Sequence, residues 1–250
     1  MDVYVISDLH IESSRDSIYQ DLLNLIENEP MSGDFFVFAG DIFDHWIGNK
    51  QFYQKNFEKF ISIVQKKSKE GVIFYYIEGN HDFLLKGIFG ESSSINIVDS
   101  FVALEHDSRK IIITHGDLAN PHDKSYLLLR KFWRSIWIKC FVAISSGQFI
   151  DFLGRTLSRG SSQTRIEERL APDEKSISRL IEIYHQYAEK FFSKGFDCVV
   201  AGHCHDRDEY RKKIGEKEFQ YINVGFPRVH GEYLVKSQGS MYFKRVHFTR

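Results

Sequence analysis

The chain has 250 residues, of which 42% are hydrophobic and 27% are charged. This composition is ordinary for a globular protein and excludes a disordered or fibrous chain. The 33 Lys and Arg residues nearly balance the 34 Asp and Glu residues, so bulk positive charge for binding nucleic acid is excluded. We therefore expect one large domain with a sizeable core, no nucleic-acid partner and no implied protein partner.

The sequence indicates a cytoplasmic protein. Its three cysteines (Cys140, Cys198 and Cys204) do not have the spacing of a disulfide framework. The chain enters a strand-like run without a leader. None of its apolar stretches reaches the roughly 18 residues that a membrane-spanning helix needs.

Short apolar runs of four to six residues recur along the chain, each followed by polar residues. They are Val3–Ile6, Phe35–Ala39, Val72–Ile77, Ile111–Thr114 and Cys198–Ala201. Their Val, Ile and Phe content is typical of buried strands. Between the first three runs, Ser17–Asn28 and Phe52–Lys69 carry apolar residues at helical spacing. This alternation predicts an α/β fold with a largely covered sheet.

Residues 120–194 interrupt the alternation. They contain no convincing strand and indicate helices over about Tyr126–Ile144, Phe149–Leu157 and Asp173–Lys194. We interpret them as a helical insertion, or cap, in a core formed by residues 1–119 and 195–250. Alternating runs after Asp206 predict antiparallel strands that complete a second sheet: Phe219–Val224, Tyr233–Lys236 and Met241–Phe248.

Each of the five apolar runs is followed by residues of types that commonly bind metals. The five motifs are Asp8-x-His10, Gly40-Asp41-x-x-Asp44, Gly79-Asn80-His81-Asp82, His115-Gly116 and Gly202-His203-x-His205. Because the carboxyl ends of strands meet at one edge of an α/β sheet, we expect one pocket. Its O and N donors suit Mn, Fe, Zn or Co. About seven donors suit two adjacent ions that share a bridging carboxylate.

Two details of geometry follow. Asp41 is the natural bridge, since each of its two oxygens can hold one ion. The i, i+2 spacing of Asp8 and His10 puts both side chains on the same side of an extended segment, and the same holds for His203 and His205.

The ordered set of motifs resembles that of the calcineurin-like metallophosphoesterases, over about residues 1–118 and 195–230. The resemblance implies a two-sheet α/β sandwich flanked by helices, and phosphoester hydrolysis through a metal-bridging hydroxide. It implies two sets of metal ligands, one being Asp8, His10, Asp41 and His205 and the other Asp41, Asn80, His115 and His203. His81, oriented by Asp82, would act near the leaving group, which makes these two the expected catalytic residues.

Within that family, residues 40–48 and 79–85 are similar to motifs of the UDP-2,3-diacylglucosamine diphosphatases. This resemblance implies use of two divalent ions, Mn²⁺ in that branch, and release of UMP and 2,3-diacylglucosamine 1-phosphate (lipid X) in lipid A biosynthesis. It implies a lipid-nucleotide substrate at the inner leaflet of a bacterial inner membrane. The substrate-binding residues that it implies are Asp123, Tyr126, Arg130, Ser161, Ser162 and Arg165.

The insertion suits a lipid substrate on its own composition. Residues 121–170 hold nine Lys or Arg against four Asp or Glu, and residues 127–144 mix bulky apolar side chains with basic ones. Such helices can line an acyl-chain chamber or lie in an anionic membrane interface. A helix simply buried against its neighbours gives the same pattern.

The chain also departs from the branch at three places. His81 stands where the best-known members have Arg, and Gly225-Phe226-Pro227 replaces their motif after the last core strand. Residues 202–207 read G-H-C-H-D-R where those members have G-H-T-H-R-P. Three other functions therefore stay open. They are hydrolysis of another phosphomonoester or diester (a phosphoprotein or nucleotide), a non-catalytic scaffold on the same fold as in a retromer subunit, and a membrane-binding module.

Overall fold

The computed structural model describes residues 1–90, 95–156 and 174–246. In the amino-terminal half the elements are β1 (Val3–Ile6), α1 (Ser17–Asn28), β2 (Phe35–Phe38), β3 (Trp46–Ile47), α2 (Gln51–Asn56), α3 (Glu58–Lys69), β4 (Ile73–Ile77), β5 (Asp82–Phe83), β6 (Ile95–Val98), β7 (Phe101–His106) and β8 (Arg109–Thr114). The remaining elements are α4 (Lys124–Trp133), α5 (Ile136–Ile144), α6 (described over 147–156), α7 (Glu174–Phe192), β9 (Cys198–Ala201), β10 (Asp208–Ile214), β11 (Lys217–Asn223), α8 (Pro227–His230), β12 (Glu232–Ser237) and β13 (Ser240–Arg245).

Two sheets form the centre of the fold. The first has the strand order β13-β12-β1-β2-β4-β6, and the second has the order β10-β11-β9-β8-β7. Their inner faces share one apolar cluster, in which Val5 and Val37 of the first sheet join Ile113 and Val200 of the second. The burial of this shared face is what holds the two sheets together.

Helices cover the outer face of each sheet. Residues of α1 and α3, such as Leu22 and Phe60, pack with Phe36 and Phe38 of the first sheet. On the other side, Tyr184 and Ala188 of α7 pack on the second sheet. The expected two-sheet α/β sandwich flanked by helices is confirmed.

The assignment of the late strands to a second sheet is correct for one strand and wrong for two. β11 pairs with β9 in the second sheet, but β12 pairs with β1 in the first, where Leu234 lies opposite Val5. The reason is that β12 is covered on both faces: Tyr233 and Val235 enter the cluster under the helices, and Leu234 enters the cluster between the sheets.

The regular elements in the described part of the predicted insertion are all helices. The helix expected over Tyr126–Ile144 is divided into α4 and α5, because the Ser135 side chain accepts a hydrogen bond from the backbone N–H of Ile138 and caps a new helix. Ile138 and Val142 of α5 pack against Ile47 of the core. No helix in the described ranges is long and apolar enough to cross a membrane. The division of the chain into core and cap stays a prediction.

Candidate metal centre

The carboxyl ends of five strands deliver polar side chains to one place. Asp8 and His10 follow β1, Asp41 follows β2, Asn80 and His81 follow β4, His115 follows β8, and His203 and His205 follow β9. Four of these strands lie side by side in pairs, β1 with β2 and β8 with β9, which brings their ends together across the two sheets. All seven candidate ligands therefore lie around one pocket.

The first group of ligands consists of Asp8, His10 and His205, whose donor atoms all lie within 4.8 Å of one another. Nε2 of His10 and Nε2 of His205 are 3.2 Å apart. Oδ1 of Asp8 is buried, without a hydrogen-bond partner among the described residues, and lies 3.2 Å from Nε2 of His205. A buried carboxylate oxygen in this state is what a cation ligand requires, because such an oxygen otherwise bears the full cost of desolvation.

The second group consists of Asp41, His115 and His203, again with donor atoms within 4.8 Å. Nδ1 of His115 lies 3.0 Å from the carbonyl of Ala39, which can only accept a hydrogen bond, so Nδ1 carries the proton. Nε2 is then the nitrogen directed at the pocket, 3.2 Å from Oδ1 of Asn80 and 3.2 Å from Nδ1 of His203. Asn80 thus lies beside the second group, as the resemblance to the phosphoesterase family implies.

Asp41 lies between the two groups, but its two oxygens differ. Oδ1 accepts the backbone N–H groups of Asn80 at 2.8 Å and His81 at 2.9 Å. Oδ2 lies 3.4 Å from Nε2 of His115 and 3.9 Å from Nε2 of His10. The expectation of one ion on each oxygen is therefore corrected, since Oδ2 is the oxygen that faces both groups.

The backbone at these ligands is left-handed, which corrects the expectation of extended segments. Asp8, His10 and Asp41 have φ of 54°, 46° and 53°, and His203 and His205 have φ of 70° and 61°. Non-glycine residues in this region cost of the order of 1–3 kcal/mol each, and such strain is typical of functional sites. Turns, rather than strand alternation, bring Asp8 and His10 to the same pocket.

Glycines allow the ligand-bearing loops to approach one another closely. A Cβ atom on Gly79 would lie 2.1 Å from Oδ1 of Asp41, and one on Gly202 would lie 2.4 Å from Oδ2 of Asp8. These two positions exclude any side chain, because the space is taken by the carboxylates of Asp41 and Asp8.

The electrostatics of the site favour positive charge. Although burial alone lowers the pKa of His115, the carboxylates of Asp41 and Asp8 raise it to about 10. Burial disfavours the Asp41 carboxylate as well, yet the surrounding histidines hold its pKa well below the usual value. Divalent cations supply the positive charge that the buried carboxylates require, and the O and N donors suit such ions. The residues present therefore fit divalent metals.

His81 lies beside the centre, and the carboxylate that contacts it is Asp44. Nδ1 of His81 is 2.8 Å from the carbonyl oxygen of Asp44 and 3.4 Å from its Oδ1. Asp82 is fully buried and accepts the backbone N–H groups of Asp41, Ile42 and Gly79. The expectation that Asp82 orients His81 is therefore wrong: Asp82 holds the backbone of the ligand loops, and Asp44 orients the imidazole.

Three of the substrate-binding candidates lie in the described residues, and only two of these are connected to the centre. Tyr126 and Arg130 reach the centre by way of Asp117, which accepts the Tyr126 hydroxyl at 2.8 Å and pairs with Arg130. Asp123 is exposed and caps α4 by accepting the backbone N–H of Tyr126. The remaining candidates, Ser161, Ser162 and Arg165, lie outside the described residues.

Arg134 was not among the candidates, yet it contacts a ligand loop. Its Nη2 donates to the carbonyl of Gly79 at 2.9 Å, and its guanidinium lies 5.6 Å from the centre of the Phe83 ring. Asp44 and Asp117 were also not among the candidates, although Asp44 is part of the Gly40-Asp41-x-x-Asp44 motif and Asp117 directly follows His115-Gly116. Their proximity to predicted ligands in the chain was the available signal.

Three comparisons place the chain among known proteins. It is 26% identical to a UDP-2,3-diacylglucosamine hydrolase of Photorhabdus laumondii over 216 residues, which is 84% of this chain and 88% of that protein. It is 30% identical to the Vibrio atlanticus protein of the same name over 142 residues, 56% of this chain and 57% of that protein. The Vps29 structure from Chaetomium thermophilum aligns with a TM-score of 0.44 at 12% identity, over 98% of this chain and 88% of that one.

The family model described as calcineurin-like phosphoesterase matches residues 1–207, which include every candidate metal ligand. The matched region carries all five motifs that supply the candidate ligands. The chain therefore belongs to the calcineurin-like phosphoesterases and is a metal-dependent hydrolase.

Proposed function

We propose that the protein hydrolyses the pyrophosphate bond of UDP-2,3-diacylglucosamine and releases UMP and 2,3-diacylglucosamine 1-phosphate. The observation that carries this proposal is a wide exposed apolar surface on the helices next to the metal centre. The names of the relatives at 26% and 30% identity support the same substrate.

The apolar surface lies on α4, α5 and α6. Its side chains are exposed to an extent unusual for their size, with Trp137 at 77% and Ile144 at 87%. We call this set the apolar face, and it consists of Leu128, Leu129, Phe132, Ile136, Trp137, Ile144, Phe149 and Phe152. Large apolar side chains exposed on neighbouring helices are typical of binding surfaces for ligands, proteins or membranes. Acyl chains are ligands of matching chemistry.

The apolar face is connected to the metal centre through Arg130 of α4 and through Arg134, the residue that follows α4. Arg130 pairs with Asp117, and Arg134 donates to the carbonyl of Gly79, the residue before Asn80. A substrate with a diphosphate at the metal centre and acyl chains on α4 and α5 would therefore contact both parts at once. Cationic side chains at this junction are suited to the diphosphate oxygens.

Two divalent ions, Mn²⁺ being the expected one and Fe, Zn and Co also compatible, would activate water and bind phosphoryl oxygens. Asp8, His10, Asp41 and His205 would hold one ion, and Asp41, Asn80, His115 and His203 the other. Gly79, with no side chain, leaves room for the Asp41 carboxylate to reach both groups.

His81 would supply the proton for the leaving oxygen. Its Nδ1 faces the Asp44 carbonyl, so Nε2 is the ring nitrogen left to face the substrate. Burial opposes the charged imidazolium, but in the absence of bound ions the carboxylates of Asp41 and Asp44 raise the pKa of His81 to about 9. A protonated imidazole at this position acts as a general acid.

We also propose that the protein works in the cytoplasm, at the inner leaflet of a bacterial inner membrane. The apolar face is flanked by basic residues, among them Lys131 and Lys139, which are exposed. Basic residues beside an exposed apolar stripe bind anionic lipid headgroups while the apolar side chains enter the interface.

The test compares two substrates and two surfaces in the presence of Mn²⁺. The substrates are UDP-2,3-diacylglucosamine, assayed by UMP release, and bis(p-nitrophenyl) phosphate, which has no acyl chain. The double variant Trp137→Asp/Ile144→Asp changes the apolar face, and Ile214→Asp changes an exposed apolar residue on β10 as the matched control. Asp41→Ala abolishes activity toward both substrates if the metal centre performs the hydrolysis.

We expect the double variant to lose roughly 30-fold in kcat/KM for the lipid, because two lost apolar contacts are worth about 2 kcal/mol. Activity toward the small diester and activity of Ile214→Asp should stay at the wild-type level. Hydrolysis of the small diester without any hydrolysis of the lipid would refute the substrate and leave another phosphoester as the function. The apolar face would then be a structural cap.

A further inference from the structure

The segment from Gly225 to Arg228 lies directly against the first group of metal ligands. It follows β11, and its sequence differs from the motif of the branch that the chain resembles. Two of its side chains, Phe226 and Arg228, contact His10, which lies more than 200 positions earlier in the chain. Neither residue belongs to any of the five motifs.

Phe226 fixes the plane of the His205 imidazole. The two rings are stacked, with centroids 4.5 Å apart and an angle of 8° between their planes. The same ring meets His10 edge to face at 6.2 Å. Stacking of this kind restricts rotation of an imidazole about χ2, and rotation of either ring would move the Nε2 atoms that lie 3.2 Å apart.

Arg228 fixes the backbone that carries Asp8 and His10. Its guanidinium donates to the carbonyl of Leu9 at 2.5 Å and to the carbonyl of His10 at 2.7 Å. It also pairs with Asp16, the residue that caps α1. The planar fork of an arginine can reach two carbonyls and a carboxylate at once, which a lysine ammonium cannot match in geometry.

These contacts complete the support of a strained loop. The N–H groups of Asp8 and His10 donate to the carbonyls of Gly40 and Asp41, both at 3.0 Å. The carbonyls of the same loop accept from Arg228. Since Asp8 and His10 both have positive φ, the loop needs partners on its N–H side and on its carbonyl side to stay in this conformation.

We propose that Phe226 and Arg228 are positioning residues for one of the two metal ions, the one held by Asp8, His10, Asp41 and His205. They act by holding His10 and His205 in the orientation that ligation requires. Residues that orient metal ligands typically change metal affinity 10- to 100-fold when they are replaced. Because these contacts act on metal ligands, they serve whichever phosphoester is hydrolysed.

The test measures metal binding directly, without a substrate. Phe226→Leu removes the flat ring but keeps an apolar side chain, and Arg228→Lys keeps the charge but removes the fork. Each variant is dialysed to equilibrium against a series of Mn²⁺ concentrations, and bound Mn²⁺ per chain is measured by elemental analysis. Phe101→Leu, exposed on β7, and Arg211→Lys, exposed on β10, are the matched controls.

We expect each variant to bind one Mn²⁺ as the wild type does and the other about 10-fold more weakly or worse. The kcat should recover at saturating Mn²⁺, because the catalytic groups themselves are intact. An unchanged Mn²⁺ binding curve in both variants would overturn the assignment. Equal weakening of all bound ions, with the same drop in melting temperature in EDTA and in Mn²⁺, would show a purely structural role. If Arg228→Lys fails to fold, the Mn²⁺ binding curve of Phe226→Leu, at a half-buried position, tests the proposal by itself.

Discussion

Replacement of Gly79 by alanine tests the geometry of the metal centre with a single added carbon. The new Cβ would lie 2.1 Å from Oδ1 of Asp41 and 2.5 Å from the backbone nitrogen of Asp41. An ordinary contact begins at 3.4 Å, so the two loops must separate by about 1 Å. The neighbour is backbone together with a fixed carboxylate, and neither can rotate away as a flexible side chain would.

The size of the effect follows from the partners of that carboxylate. Oδ1 of Asp41 accepts two backbone N–H groups, from Asn80 and His81, and displacement breaks both hydrogen bonds. Two buried hydrogen bonds to a charged group are worth about 3 kcal/mol or more. A displacement of about 1 Å in a catalytic group costs on the order of 100-fold in rate.

We therefore expect Gly79→Ala to lose about 100-fold or more in kcat for bis(p-nitrophenyl) phosphate, together with bound Mn²⁺. The matched control is Gly215→Ala, where a Cβ meets open space but the φ of 64° still disfavours alanine. That control should lose about 1 kcal/mol of stability and retain full activity. Wild-type turnover and metal content in Gly79→Ala would refute the close approach of the two loops.

Three further predictions concern stability. Each oxygen of Asp82 accepts two backbone N–H groups, from Asp41 and Gly79 on Oδ1 and from Ile42 and Phe43 on Oδ2, so Asp82→Asn leaves two of them without an acceptor. Urea denaturation in EDTA should show a loss of about 2–4 kcal/mol, and a loss under about 1 kcal/mol would contradict these hydrogen bonds. Burial opposes the charge of Asp197, but Lys217 and the Lys110 N–H lower its pKa. Asp197→Asn should therefore cost about 1–2 kcal/mol of unfolding free energy at pH 7, and this difference should vanish as the pH falls from about 4 through the lowered pKa. A difference that does not depend on pH would refute the charge effect. Mn²⁺ at 100 times its dissociation constant should raise the unfolding free energy by about 2.7 kcal/mol per ion relative to EDTA, and Asp41→Ala should lose most of this gain.

Much of the centre was predictable because each ligand is coded locally. A strand that is buried on both faces is a continuous apolar run, and the first polar residue after it lies at the edge of the sheet. Asp8, Asp41 and His115 are therefore visible in the sequence as the points where such runs end. The helical spacing of apolar residues in α1 and α3 was equally local and equally visible.

The missed strands show where local coding ends. β6 and β10 contribute few buried side chains, and their sequences carry no continuous apolar run. β7 begins with four apolar residues, 101–104, but it buries only every second side chain and its motif carries no metal ligand. β12 was visible as a strand, but its sheet was not. Strand partnership is decided by contacts between distant residues, such as Val5 with Leu234.

By itself the sequence determined the α/β class, the helical character of the insertion where it is described, and the seven candidate metal ligands, because residue type and short-range spacing are sufficient for these. Only the tertiary structure decided which groups orient the ligands. Asp44 rather than Asp82 contacts His81, one oxygen of Asp41 faces both groups, and Phe226 stacks on His205. The physical reason is that orientation depends on φ angles and on contacts across sheets, as between His10 and His205, 195 residues apart, which no local pattern records.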